Sequence, residues 1–457
     1  MLKLQPVKSI QGKVELPPNP DLLFLAALSA CALSRTITLK GIPDSTVLRD
    51  MRRSLHGHAV FQNEESVLTI KPEISEDPTL LLTLPDSLIV YRTMYLFIAL
   101  GMGKTVVCRS ASSKRIESWI KQAKKIGITL ESTAIDQCTG LKVTDFKQET
   151  VNGSFVEEEI CNILIAFILG KNGTAEYSID FFLSSPLRHL VQAFGLQLSV
   201  KAVTAEKPTD PIMQRIRFLQ QKKKTGPSQN QSFSVQIDFT RPEKGDPLEI
   251  KVPGDDILGA ALISSKCLIP KGSLVLSNVS LESWASQTMA FLRKMGCKLS
   301  IQENERTSFG STGLVSLQKA ELYGRKVKCI PLFQFTGQLP TMTITAAFAS
   351  GQSVFRDLED MRLDVPDGID QLESCLRTLG VRHGEMPDGI VMEGARDFDG
   401  FDLKEPLPAH IAVAFCVAGL KCMGETSIED SLVNDRWPDF GKLLSDICEL
   451  RTQKETT

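Results

Sequence analysis

The sequence predicts a two-domain protein of the α/β (α+β) class, built from six units of similar pattern. Three observations support this prediction. The chain has 457 residues, which is more than one hydrophobic core usually holds. A strand, a loop with Pro or Gly, an apolar helix, a small-residue turn and a second strand recur six times. A second, amphipathic helix follows each copy, so three units per domain is the expected division.

The six copies share the order of their apolar and turn residues. The first helix of each copy is apolar on nearly every face, which is typical of a helix buried inside a domain. The second helix has a polar face and is predicted to lie outside. The copies read VELPPNPDLLFLAALSACALSRTITLKGI, LLTLPDSLIVYRTMYLFIALGMGKTVVCRSA, GSFVEEEICNILIAFILGKNGTAEYSIDFF, LEIKVPGDDILGAALISSKCLIPKGSLVLSNV, IPLFQFTGQLPTMTITAAFASGQSVFRDL and EPLPAHIAVAFCVAGLKCMGETSIEDSLV.

A polar stretch separates the third copy from the fourth and marks the boundary between the predicted domains. Residues 21–235 contain the first three copies, and residues 236–457 contain the last three. The stretch itself, residues 206–232, includes QQKKKTGPSQNQSF and is predicted to be a solvated linker or insert. A basic contact for a partner is the alternative interpretation.

The composition argues against several classes of function. A net charge of −2 gives no reason to expect nucleic acid or an anionic membrane as a partner. The longest apolar runs are too short for a membrane span, and the N-terminus lacks a signal-peptide core, so a cytoplasmic location is expected. The eleven cysteines form no CxxC pair, and the five histidines are far apart except for His56 and His58, so no metal site is predicted.

The six-unit pattern and several local motifs resemble the enolpyruvyl transferases, most closely the EPSP synthase (3-phosphoshikimate 1-carboxyvinyltransferase) family. The matching stretches are FLAALSA with ITLKGIPDSTVLRDM, TMYLFIAL, VPGDD with LSNV, AAFASGQSV and WPDFGKLL. The resemblance implies an inside-out barrel of six βαβαββ units, three per domain, with residues 1–20 joining the C-terminal domain. It also implies phosphoenolpyruvate and shikimate 3-phosphate as substrates if the chain is active, and no cofactor.

Most positions that match the family's charged residues carry other residue types. The family protonates phosphoenolpyruvate, adds a sugar hydroxyl and expels phosphate, which requires cationic clamps and proton-transfer groups. The first loop, residues 18–21, lacks the family's Lys and Arg, and Val156 to Glu158 replace a Ser-Ser-Gln grip. Gly337 and Gln338 stand at the catalytic Asp and its neighbour. A carboxylate about 4 Å from a phosphate charge adds about 4 kcal/mol of repulsion at an effective dielectric near 20.

A smaller set of charged residues is left at or near the family's positions. The resemblance makes three of them catalytic candidates and four of them candidates for substrate binding. The catalytic candidates are Asp255, Asp367 and His410, and the substrate-binding candidates are Arg92, Lys114, Arg115 and Arg436.

These substitutions leave two hypotheses on activity. The first is a catalytically impaired or re-purposed family member that acts as a binding or scaffolding protein. The alternative is an active enolpyruvyl transferase that uses the substitute residues on shikimate 3-phosphate or another hydroxyl acceptor. A nucleotide-binding reading of GMGKT, residues 101–105, is disfavoured because Ile98 stands where a P-loop has its first glycine. The acid-rich DLEDMRLDVPDGIDQ fits no cation loop and is predicted to be a solvated turn before a helix.

Overall fold

The structure is a computed structural model, and it describes most of the C-terminal half and parts of the N-terminal half. The described residues are 1–42, 46–64, 67–73, 79–82, 105–108, 113–125, 128–135, 138–146, 174–179, 189, 193–194, 197–203, 232–238, 247–282, 285–328, 337–363, 367–394 and 397–450. Arg92, Val156 to Glu158, residues 101–104 of GMGKT and nearly all of the polar stretch 206–232 lie outside the described residues. None of the helices within the described ranges is long and apolar enough to cross a membrane.

The first 250 residues contain fourteen of the described strands and three of the described helices. The strands are β1 (Leu2–Leu4), β2 (Val7–Ile10), β3 (Gly12–Glu15), β4 (Ile37–Lys40), β5 (Ala59–Glu64), β6 (Val67–Pro72), β7 (Thr79–Leu82), β8 (Thr105–Cys108), β9 (Ile128–Ile135), β10 (Cys138–Phe146), β11 (Thr174–Ile179), β12 (Gln197–Val203), β13 (Ser232–Asp238) and β14 (Leu248–Ile250). The helices are α1 (Pro20–Leu33), α2 (Thr46–Ser54) and α3 (Ser113–Lys125).

The described residues after 250 contain ten strands and seven α-helices. The strands are β15 (Leu274–Ser280), β16 (Lys298–Thr307), β17 (Gly310–Lys319), β18 (Lys326–Lys328), β19 (Gly351–Arg356), β20 (Arg382–Met386), β21 (Gly389–Gly394), β22 (Asp402–Leu403), β23 (Thr426–Ile428) and β24 (Cys448–Leu450). The helices are α4 (Asp256–Leu268), α5 (Gln287–Met295), α6 (Leu339–Ala347), α7 (Gly368–Leu379), α8 (Ala409–Lys421), α9 (Ser431–Arg436) and α10 (Phe440–Ile447), with a 3₁₀ turn at Glu359–Leu363.

The sheets separate the chain into two halves. The N-terminal half has sheets ordered β14-β4-β6-β5, β7-β8-β10-β9 and β11-β13-β12. The C-terminal half has β1-β23-β22, β16-β17-β15-β3, β18-β19-β21-β20 and β2-β24. The first fifteen residues therefore pair with the C-terminal half. Because β14 pairs in parallel with β4, residues 248–250 belong to a sheet of the N-terminal half, and the chain passes to the C-terminal half at residues 251–254.

Three apolar helices form the centre of the C-terminal half. Every residue of α4 and α6 is buried, and α8 is buried except for His410 and Lys421. The two helices α5 and α7 bury one face only, and each ends in a left-handed glycine, Gly296 or Gly380. The prediction that the first helix of each unit is buried and the second is amphipathic is confirmed for these elements.

The two chain crossings between the halves are hydrogen-bonded to each other. Asn19 N donates to Pro253 O at 2.9 Å, and Asp255 N donates to Pro17 O at 2.7 Å. Gly254 lies between them, where a Cβ atom would stand 2.4 Å from Leu16 Cβ, so only glycine fits. The proline-rich turn thus packs directly against the loop that begins α4, and it brings the starts of α1 and α4 together.

A buried lysine closes the opposite end of α4. Lys266 is 2% exposed, and its Nζ donates to four backbone carbonyls of the following turn. The acceptors are Ile269 at 3.4 Å, Pro270 at 2.8 Å, Lys271 at 2.7 Å and Gly272 at 2.9 Å. Burial lowers the pKa of Lys266. The ammonium thus ties together the carbonyls of the turn that follows α4, and one of them, Lys271 O, also accepts from Ile10 N at 3.0 Å.

We expect Lys266→Met to lower the free energy of unfolding by about 1.5–3 kcal/mol, because the carbonyls lose a charged donor. Urea denaturation of both proteins measures this difference. Lys271→Met is the matched control, since the Lys271 side chain is exposed, and it should change stability by less than about 0.5 kcal/mol. Equal effects of the two substitutions would contradict this role for Lys266.

Candidate functional site

The candidate site lies where the N-termini of α1, α4 and α6 meet beside the chain crossings. Free backbone N–H groups at such positions normally make a good anion site. Here the chain's own side chains occupy them. Asn19 Oδ1 accepts from Asp21 N at 2.9 Å and Leu22 N at 3.2 Å. Two helix-start N–H groups of α1 therefore already have a partner.

The start of α4 is closed in the same way. Asp255 Oδ1 accepts from Ile257 N at 2.9 Å and from Leu258 N at 3.3 Å. Asp255 is fully buried, and its carboxylate satisfies the helix dipole that a ligand phosphate would otherwise meet.

A buried ion-pair cluster joins these two helix starts to the end of the chain. Arg436 Nη2 lies 2.8 Å from Asp21 Oδ2 and 3.1 Å from Asp255 Oδ2. The three side chains are 4%, 6% and 0% exposed, respectively. Trp437 Nε1 also donates to Asp255 Oδ2 at 2.9 Å, and the Arg436 guanidinium lies 5.2 Å from the Trp437 ring centroid. The guanidinium is thus shared by two carboxylates of the same chain.

A third carboxylate, Asp256, lies next to this cluster and is held by two amides. Asn19 Nδ2 donates to its Oδ1 at 2.5 Å, and Gln338 Nε2 donates to its Oδ2 at 2.6 Å. The Gln338 amide is itself oriented, because its Oε1 accepts from Thr288 N at 3.0 Å and Thr288 Oγ1 at 2.8 Å. Gln338 therefore serves as a structural link between α4, α5 and α6.

The electrostatics of the cluster oppose an anionic ligand. Burial, and secondarily the charge of Asp255, raise the pKa of Asp256 well above its ordinary value. Even with Asp256 protonated, Asp21 and Asp255 outnumber the single guanidinium of Arg436. The adjoining cavity, lined in part by Asp256, Ser280 and Gln338, has a volume of about 20 Å³, which is room for one water molecule.

Of the residues predicted from the sequence, the structure brings Asp255 and Arg436 together. Lys114 and Arg115 lie in the first turn of α3, where Lys114 is exposed and Arg115 is buried. His410 is half-buried in the first turn of α8.

Asp367 has a local structural role. Its Oδ1 caps α7 by accepting from Ile369 N at 2.9 Å and Asp370 N at 3.2 Å, and its Oδ2 lies 3.4 Å from Arg362 Nη1. The acid-rich segment is therefore a helix start with a bound arginine, in line with the turn predicted before a helix.

Sequence reasoning did not assign a site role to Asn19, Asp21, Asp256, Gln338 or Trp437. The available signal was the pattern of an Asx residue placed at a helix start in both PNPD and PGDD. The pairing of Asp21 with Arg436 spans 415 positions and leaves no local pattern.

Comparison with known proteins finds that the chain is similar to EPSP synthases. Residues 226–444 match the family model of EPSP synthase (3-phosphoshikimate 1-carboxyvinyltransferase). The 3-phosphoshikimate 1-carboxyvinyltransferase of Desulforudis audaxviator is 27% identical over 200 residues, 44% of this chain and 47% of the relative. That of Thermodesulfovibrio yellowstonii is 27% identical over 198 residues, 43% and 46% of the two chains. The chain thus spans about half the length of these curated relatives in the matched region.

Solved structures match over nearly the whole length. An EPSP synthase from Acinetobacter baumannii superposes with a TM-score of 0.66 at 16% identity, over 98% of this chain and 99% of that one. The enolpyruvyl transferase NikO from Streptomyces tendae gives a TM-score of 0.67 at 14% identity, over 98% of both chains. The fold class predicted from the sequence is confirmed.

We expect Arg436→Met to lower the free energy of unfolding by about 3–5 kcal/mol, because two buried carboxylates lose their cation. Urea denaturation at neutral pH measures the change. Arg382→Met is the control, since the Arg382 side chain is 87% exposed beside Glu393 and its pair should contribute less than about 1 kcal/mol. A loss below about 1 kcal/mol for Arg436→Met would contradict a tightly coupled cluster.

The raised pKa of Asp256 predicts a pH-dependent difference from Asp256→Asn. The folded state holds a proton on Asp256 that the unfolded state releases, so this group lowers wild-type stability as pH rises through the folded pKa. The Asn variant lacks this term. We therefore expect the stability of the variant relative to wild type to improve with rising pH, by at most about 1.4 kcal/mol per pH unit, from about pH 4 upward. Unfolding curves at several pH values test this, and a flat or falling difference would contradict it.

Proposed function

We propose that this chain, a divergent member of the EPSP synthase and enolpyruvyl transferase family, is a catalytically impaired or re-purposed protein. The observation that supports the proposal is the occupation of the helix starts by the chain's own Asn19 and Asp255, together with the neutralisation of Arg436 by Asp21 and Asp255. Phosphoenolpyruvate carries a phosphate and a carboxylate, and both would have to enter a cluster with excess negative charge.

An anionic ligand that binds Arg436 would have to displace the two carboxylates that now pair with it. Binding an anion to Arg436 requires breaking contacts at 2.8 and 3.1 Å to two buried carboxylates. Each of those carboxylates would then be buried without its cation, which typically costs several kcal/mol. A charge-assisted hydrogen bond to the ligand returns only about 1.5–3 kcal/mol. The internal pairing is therefore favoured over ligand binding.

The residues at the positions of the family's proton-transfer groups also argue against turnover. Gly337 stands at the family's catalytic Asp and carries no side chain that could exchange a proton. Gln338 stands at the neighbouring position, and its amide is held by Thr288 and Asp256. Loss of one such group typically lowers the rate by about 10²–10⁴. Asp367, the retained acid of the fifth unit, caps α7 instead of facing the cluster. A binding or scaffolding role on the retained two-half fold fits these features better than turnover.

We expect no phosphate release from phosphoenolpyruvate above the buffer background, with or without shikimate 3-phosphate, at high protein concentration. The EPSP synthase of Acinetobacter baumannii, assayed in parallel, is the positive control for the reagents. Release that requires both the chain and shikimate 3-phosphate would overturn the proposal. It would instead support the alternative of an active transferase that uses substitute residues, on this acceptor or on another hydroxyl compound.

A further inference from the structure

A strongly basic surface lies on the C-terminal half, away from the cluster at the helix starts. We call it the Tyr323 surface. It comprises one exposed aromatic ring and seven exposed cationic side chains of the segments that end α5, form the hairpin β16–β17 and lead into β18. The cations are Arg293, Lys294, Lys298, Lys319, Arg325, Lys326 and Lys328.

Contacts of the chain bring the segment 323–325 against the end of α5, next to the start of the hairpin β16–β17, and Lys326 and Lys328 continue this segment into β18. Lys298 and Lys319 are directly opposite each other in the β16–β17 register. Tyr323 N donates to Met295 O at 3.1 Å at the end of α5. Arg325 Nε donates to Lys294 O at 2.6 Å, which joins the last segment to the helix.

The positive charge exceeds what folding requires. Glu321 is an acidic residue within the described part of this surface, and its carboxylate pairs with Lys319. The helix dipole accounts for Arg293 and Lys294 in the last turn of α5. It does not account for two lysines placed opposite each other on neighbouring strands, since like charges there destabilise a sheet.

The aromatic ring at the centre is exposed but held in place. Tyr323 is 47% exposed, the highest value for an aromatic side chain among the described residues. The segments on both sides are fixed by Gly324 N to Ser350 O at 2.8 Å and Arg325 N to Ser353 Oγ at 3.2 Å. The Arg325 guanidinium lies 5.9 Å from the ring centroid. The backbone that carries the ring is therefore fixed, and a guanidinium lies beside the ring.

We infer that the Tyr323 surface binds single-stranded nucleic acid. Exposed cations track a phosphate backbone, and a fixed aromatic ring offers a stacking platform for a base, which is the combination used by sequence-tolerant binders of single strands. An acidic peptide would match the charges but would leave the aromatic platform without a stacking partner. This inference is independent of the proposed loss of catalysis.

The inference differs from the expectation drawn from the net charge of the whole chain, −2. The seven cations are distributed over residues 293–328, among acidic residues such as Glu303 and Glu305 that lie toward the other end of β16. Folding gathers the cations and separates them from those acids. The net charge of the whole chain does not reveal this separation of cations from acids.

Fluorescence anisotropy with a labelled oligouridylate of about 12 nucleotides tests the inference on the full chain. We expect salt-sensitive binding by wild type. Lys298→Glu with Lys319→Glu should weaken binding at least about tenfold near 0.1 M salt and reduce the salt slope by about one per lysine. Tyr323→Ala should weaken binding about fivefold or more through loss of stacking.

The matched control is Lys404→Glu with Lys442→Glu, which makes the same charge change at exposed lysines on other elements and should alter binding less than twofold. Circular dichroism verifies that all variants are folded. The inference is overturned by absence of binding at low salt, by equal losses in the control, or by an unaffected Tyr323→Ala. Tighter binding of a labelled oligoglutamate peptide than of the oligouridylate would also overturn it, in favour of an acidic protein partner.

Discussion

The contact of Arg436 with Asp21 and Asp255 is the interaction on which the arrangement of the two halves depends. It joins the first helix of the N-terminal half, the first long helix of the C-terminal half and the last part of the chain, and all three side chains are buried. A buried guanidinium needs partners, and a buried carboxylate needs a cation. Because each of the three satisfies the others, the proline-rich turn, the Gly254 loop and the segment at Trp437 are held in one place.

The pairing of these buried groups with one another bears on the proposed function. In a site for anionic substrates, the helix starts and the cations must be available to the ligand. In this chain Asn19 and Asp255 use the helix-start N–H groups, and two carboxylates use the cation. The fold shared with the solved EPSP synthase and NikO structures extends over nearly the whole chain.

The sequence predicted the fold better than the site, for physical reasons. Helices such as α4 and α6 are apolar on every face, so periodicity alone indicates that they are buried. Residue type and position predict Asp255 and Arg436 as site candidates. They predict no role for Asp21 or Gln338. Their roles depend on contacts between distant segments, such as Asp21 with Arg436 and Gln338 with Asp256. The burial of Arg115 is likewise a tertiary outcome, whereas the cap that Asp367 forms on α7 is a local contact.

Equilibrium binding of phosphoenolpyruvate to wild type and to the double variant Asp21→Asn with Asp255→Asn tests the central claim most directly. Asparagine caps a helix about as well as aspartate, so the variant keeps the start of α4 while it releases Arg436 from both charges. If internal pairing excludes the anion, wild type shows no measurable binding. The variant then binds phosphoenolpyruvate with a Kd at least about tenfold below the detection limit for wild type. Wild-type binding as tight as that of the variant would contradict the claim.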